Sequence, residues 1–125
     1  MTTALVSVFL FLHGCAHLPV WLPRTNPDEP FDPRHSWALA AAGVRGPRIP
    51  GTAAIWLASV TTTLYVTAGA ATAAQAEGWV TTAVLAASVG LVLRVLWFNP
   101  WLSLGVLLDI SVITAVVTNW PASLY

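Results

Sequence analysis

The sequence predicts an all-α fold: an integral membrane four-helix bundle, one domain over residues 1–125, with both termini outside. Three observations predict it. Four stretches, about 2–22, 52–74, 79–98 and 101–120, are apolar on every side. Each is close to the ~20 residues that carry a helix across ~30 Å of hydrocarbon. The chain is 57% hydrophobic and 8% charged with zero net charge, against ~25% charged residues in an average soluble domain. Its few cations are also unevenly placed. Only helices and closed barrels satisfy their backbone inside lipid; barrel strands would alternate apolar and polar residues, and these runs do not.

The first span runs from Thr2 to Leu22. Its Leu12-His13-Gly14-Cys15 is a faint likeness of a lipoprotein cleavage box. No Lys or Arg precedes the apolar run, as a signal needs, so the span is expected to be retained. The single cysteine, Cys15, leaves no partner for an intrachain disulfide. The loop from 23 to 50 follows, interrupted by Pro23, Pro27, Pro30, Pro33, Pro47 and Pro50. Proline fixes φ and removes a donor, so only a short helix is expected there, around His35–Ala42. Trp37 and Leu39 would lay it against the bilayer surface. The second span covers 52–74, and Gln75-Ala76-Glu77-Gly78 turns it into the third, 79–98. Asn99-Pro100 joins the third to the fourth, 101–120: Asn caps a helix and Pro suits its first turn.

Arg24, Arg34, Arg45 and Arg48 lie in the first loop and Arg94 near the end of the third span. With four spans these places face one side, and the positive-inside rule makes that side cytoplasmic. The expected location is therefore multi-pass in a plasma (inner) membrane. Trp21, Trp56, Trp97 and Trp101 are expected in the inner aromatic belt, and Trp79, Trp120 and Tyr125 in the outer one. No basic patch exists for nucleic acid.

Ionisable residues inside a span are functional candidates by default. Here they are His13, His17, Arg94 and Asp109. At 1.5 Å per residue, His13 lies ~13 Å and Asp109 ~12 Å from the inner end of their spans. His17 and Arg94 are shallower, so all four fall in the inner half. His13 and His17 are four apart and share a face. Arg94 follows Ala83, Ala87 and Gly90 on one face, and Asp109 shares its face with Gly105. Small residues mark close helix contacts in lipid. Arg94 can also snorkel to headgroups. Ala58, Thr62, Tyr65, Gly69 and Thr72 give the second span a small polar stripe, with Tyr65 deeper than the other candidates.

Three chemistries suit these residues. His13, His17 and Asp109 are acid–base candidates, since a carboxylate on an imidazole orients the ring and fixes its tautomer; Arg94 and Tyr65 are then ligand-binding candidates. The same two histidines and carboxylate are the only candidate metal ligands, for zinc or non-haem iron. Cys15 points roughly 160–200° away from them on a helix, and two axial haem ligands cannot come from one face of one helix. The third reading is packing alone: a buried ion pair is not itself a sign of function. No cofactor is named by these residues.

Leu12-His13-Gly14-Cys15-Ala16-His17-Leu18, Pro50-Gly51 with Ala53-Ala54-Ile55-Trp56-Leu57, and Trp97 followed by Trp101-Leu102-Ser103-Leu104-Gly105 and Asp109 carry a resemblance. The chain resembles small bacterial four-span membrane proteins with His-x-x-x-His in the first span, described as uncharacterised membrane proteins or permeases. The resemblance spans the whole length. It implies the four-span architecture and points to His13 and His17; at 109 the family more often carries asparagine, and its first loop is shorter. The leading expectation is an intramembrane His/His/Asp/Arg pocket that opens to the inner leaflet and binds a small lipophilic molecule, with isomerase- or cyclase-like acid–base turnover. The alternative is a non-catalytic subunit of a larger membrane complex, its Ala- and Gly-rich faces docking other helices or a second copy.

Overall fold

Four helices in the computed structural model are long and apolar enough to cross a membrane: Thr2–Trp21, Arg48–Ala73, Trp79–Leu96 and Pro100–Val117. The structure describes all residues except 24, 25 and 27; Arg24 and Pro27, used in the charge and proline readings, lie outside the described residues. The helices are α1 (Thr2–Trp21), α2 (Trp37–Ala41), α3 (Arg48–Ala73), α4 (Trp79–Leu96) and α5 (Ser103–Val117). Short 3-10 turns at Pro100–Leu102 and Ala122–Leu124 complete them, and no strand forms among the described residues.

Helix boundaries shift where end chemistry overrides hydropathy. α3 begins at Arg48, not at 52, because Pro47 caps it and Pro50 falls in its first turn, where the missing N–H is not needed. Asn99 accepts from the Trp101 N–H and starts the fourth span as a 3-10 turn. That span stops at Val117 rather than 120, since Asn119 adopts φ 51°, a left-handed stop that Asn tolerates. Hydroxyls inside the apolar spans return to the carbonyl one turn back, as Thr61 does to Leu57 and Thr72 to Ala68, both at 2.8 Å.

α1 packs on α3, α3 on α4 and α4 on α5, while α1 and α5 are scarcely in contact. Glycine sets the tightest approach. A Cβ at Gly14 would lie 2.6 Å from Tyr65 Cβ, and one at Gly69 would lie 3.0 Å from the Ser7 carbonyl. Thr62 Oγ1 donates to Gly14 O at 2.9 Å and Ser7 Oγ to Gly69 O at 2.7 Å, so close contact is also polar contact. Ala54, Ala58, Ala68, Ala83, Ala86 and Ala87 are fully buried. The small faces are therefore consumed inside the bundle. Leu5, Leu12, Val60, Leu85, Leu107 and Val117 are among the large side chains turned outward.

The first loop is docked on the bundle. Ser36 Oγ donates to Leu96 O at 2.6 Å and Trp37 Nε1 to Val95 O at 2.7 Å, which satisfies carbonyls that a helix end leaves free. Trp97 Nε1 donates to Pro33 O at 2.7 Å and Asn99 Nδ2 to Pro30 O at 3.1 Å. Ser36 also caps α2. Two tryptophans expected in the inner belt are therefore buried within the protein. Trp21 and Trp97 are buried, edge-on to each other with ring centres 6.0 Å apart, and Phe31 meets Trp21. Docking of the loop covers them, which hydropathy alone does not foresee. Trp56, Trp101 and Trp120 stay about 70% exposed at 70%, 71% and 68%. Trp79 is covered, against Tyr125.

Candidate polar site on a single carboxylate

Asp109 is fully buried, and its carboxylate joins all four long spans. Oδ1 accepts from His13 Nε2 of α1 at 2.9 Å and from the Tyr65 hydroxyl of α3 at 2.5 Å. Oδ2 accepts from Arg94 Nη1 of α4, an ion pair within the bundle. All five candidate side chains thus come together, His17 through His13. His17 Nδ1 donates to the His13 carbonyl at 2.9 Å, which is the i, i+4 spacing of the sequence. The His17 ring lies edge-on to His13 with centres 5.0 Å apart and leans on Tyr65.

Helix geometry makes this convergence reachable. Ala83, Ala87, Gly90 and Arg94 are all buried, so the small stripe of α4 directs Arg94 inward rather than to headgroups. Glycine leaves the space. A Cβ at Gly90 would fall 2.6 Å from Asp109 Oδ2, and one at Gly105 would collide with the Arg94 guanidinium. Tyr65 begins deeper, but its phenol spans the difference and reaches the carboxylate. The apolar face of α1 adds Phe9, stacked on His13 with centres 5.7 Å apart and planes 5° from parallel.

The tautomers follow from the partners. A carbonyl only accepts, so His17 carries its proton on Nδ1 and Nε2 is a lone pair. That Nε2 is buried without a hydrogen-bond partner, as is Trp21 Nε1 one turn further on. Asp109 is paired with Arg94, so His13 donates from Nε2 and its Nδ1 is a lone pair. Among the described residues His13 Nδ1 has no hydrogen-bond partner, and His13 keeps 6% of its side chain exposed. A carboxylate on one ring nitrogen and a free lone pair on the other is the arrangement of a general base.

A metal ion fits less well. One ligand atom each from His13, His17 and Asp109 lie within 4.8 Å of one another. Both carboxylate oxygens are already engaged, however, and a divalent cation would compete with Arg94 for them. Cys15 is exposed, away from the two buried imidazoles.

An apolar groove lies elsewhere than the expected pocket. A groove of about 370 Å³ lies between α1 and α5 in the half of the bundle that holds the chain termini. Leu5, Leu10, Val112 and Val116 line its sides, Trp79 and Ala83 its floor. None of the five candidate residues lines it, so the expected pocket open at the loop end and walled by His13, His17 and Asp109 is not this cavity. The groove adjoins the site instead: Phe9 and Leu108 line it, Phe9 stacks on His13, and Leu108 precedes Asp109. Sequence reasoning missed Gly14 and Phe9 as parts of the site. The signal was there: Phe9, His13 and His17 recur every four residues, and Ser7, Gly14 and Trp21 every seven. In comparisons with protein-family models, with curated proteins and with solved structures, nothing matches this chain.

Proposed function

We propose that this chain is a multi-pass protein of a bacterial plasma membrane, loop inside and termini outside, that binds a small lipophilic molecule between α1 and α5 beside His13. The observation that carries the reading is the adjacency of the apolar groove to the histidine with an unpartnered ring nitrogen. Ligand sites are concave and mostly apolar with a few fixed polar groups. The groove supplies the first, and His13 lies behind the Phe9 ring that lines its inner end.

Acid–base turnover would run through His13. Once Phe9 turns aside, its Nδ1 takes a proton from the ligand while Asp109 accepts from Nε2–H. Arg94 pairs with Asp109, and Tyr65 and His17 hold the ring's position. Returning the proton to another atom of the same ligand is an isomerisation, with no net change in the protein.

Native mass spectrometry of the purified protein, beside its His13→Phe variant, tests the reading. The expected result is a co-purified lipophile of defined mass on the native chain and its loss from the variant. A native chain that remains ligand-free after incubation with a membrane lipid extract overturns it.

A further inference from the structure

The loop end of the bundle carries unpaired positive charge. Arg45 and Arg48 are exposed and have no ion-pair partner among the described residues. No Asp or Glu occurs from 33 to 76, so α2, the turn after it and α3 supply none. Of the acids earlier in the loop, Asp32 is already held by Arg34.

Both arginines stand on a fixed backbone. Gly43 and Gly46 adopt φ 84° and 82°, left-handed conformations that glycine enters without strain. The Val44 N–H returns to Leu39 O at 2.9 Å. Arg45 therefore sits on an ordered turn, and Arg48 opens α3. A backbone already ordered has less freedom to lose on binding.

Between α2 and the start of α3 the surface is recessed. Gly46 and Pro47, which separate the two arginines in the chain, line the recess together with Trp37 and Phe98. These two aromatic side chains are 59% and 60% exposed. Arg34 lines it too, with its stem against α3: a Cβ on Gly51 would lie 3.2 Å from Arg34 Cγ. Ser36 Oγ and Trp37 Nε1 bind the carbonyls of Leu96 and Val95, so the recess is held at the level where α4 ends. A soluble anion there would leave the aromatic rings in water. A purely apolar ligand would leave the cations unanswered. A hydrocarbon chain with an anionic head answers both.

Resting on the reading of a chain that spans a membrane, we propose that this recess binds an anionic phospholipid of the leaflet on the loop side. The phosphate lies against Arg45 and Arg48, and the first carbons of an acyl chain lie on Trp37 and Phe98. The site is separate from the groove between α1 and α5, with which it shares no lining residue.

The test is native mass spectrometry of the intact protein in detergent, titrated with dioleoyl-phosphatidylglycerol or dioleoyl-phosphatidylcholine. One phosphatidylglycerol is expected to bind about 25-fold more tightly than phosphatidylcholine, fivefold for each arginine. Arg45→Gln and Arg48→Gln should each lose about fivefold, and the double variant should bind the two lipids alike. Both positions are exposed, so the fold is expected to survive. Equal binding of the two lipids by the native chain overturns the inference, as does an unchanged preference in the double variant. Displacement by inorganic phosphate as readily as by a short-chain phosphatidylglycerol makes the occupant a bare anion and overturns the lipid assignment. A chain that stays in solution without detergent overturns the membrane reading itself, whichever lipid it prefers.

Discussion

α1 and α5 meet in two ways along their length. Near the bundle centre a hydrogen bond from His13 to the fully buried Asp109 ties them, with Arg94 and Tyr65 on the same carboxylate. One to three turns towards the termini, the same helices stand apart with an apolar groove between them. The difference teaches how such a bundle divides its labour. Apolar side chains facing lipid gain little by touching each other, because lipid tails are equally apolar. Polar groups with no water nearby have to find each other. The clasp therefore specifies the arrangement, and the groove is left free to take a ligand.

Breaking the clasp is the harshest test of that contrast. Asp109→Ala leaves the Arg94 charge buried and unpaired, and a loss of about 3–5 kcal/mol is expected, read by denaturation in mixed micelles. The double variant Arg94→Leu with Asp109→Leu should recover most of it. A single variant as stable as the native chain would show that the carboxylate does not organise the bundle. Next come the glycines beside the clasp. Gly90→Ala drives a methyl to 2.6 Å from Asp109 Oδ2, and Gly14→Ala drives one to 2.6 Å from Tyr65 Cβ. Each should cost about 1–3 kcal/mol by overpacking. Gly78, where a Cβ meets nothing within 4 Å, should accept Ala within about 0.5 kcal/mol.

The groove should behave in the opposite sense. Ala115→Phe fills it from α5; stability is expected to stay within about 1 kcal/mol while affinity for a lipophile falls about tenfold. A large loss of stability instead would make the groove part of the packed core. The smallest effect belongs to the loop. Arg34 holds the Asp32 carboxylate by a hydrogen bond, lowering its pKa to about 2. A lowered carboxylate contributes above its ordinary range near 3.8 and loses that contribution as pH falls towards about 2. The pair is largely solvated. Asp32→Asn should therefore leave the melting temperature within scatter at pH 7 and remove only a slight acid sensitivity.

The helices were legible because twenty apolar residues in a row admit few other structures, and Gly, Pro and Asn marked their ends. The site was legible in part. The spacing of His13 and His17, and the small stripes leading to Arg94 and Asp109, said which faces turn inward. They could not say that one carboxylate gathers three side chains, because that depends on how far α3 slides along α1. Tyr65 looked too deep, and only the reach of its phenol from that register brings it to Asp109. Trp21 and Trp97 read as belt residues, since nothing local marks a proline-broken loop as one that folds back over them. The groove was illegible for the same reason: it arises where α1 and α5 fail to meet, and absence of contact leaves no pattern in either helix.

The pairing of Arg94 with Asp109 also bears on how the chain is made. They are 15 residues apart, on two helices joined through Asn99 and Pro100. If the spans cross the bilayer as proposed, a lone arginine in the last turn of α4 would resist leaving the translocon, though by less than the ~2.5–3.5 kcal/mol of one at a helix centre. Handed over together with α5, it enters already neutralised. The last two spans are then a single cargo for the insertion machinery, and α1 and α3 wait in the bilayer for it with His13 and Tyr65 still unbound to their acceptor.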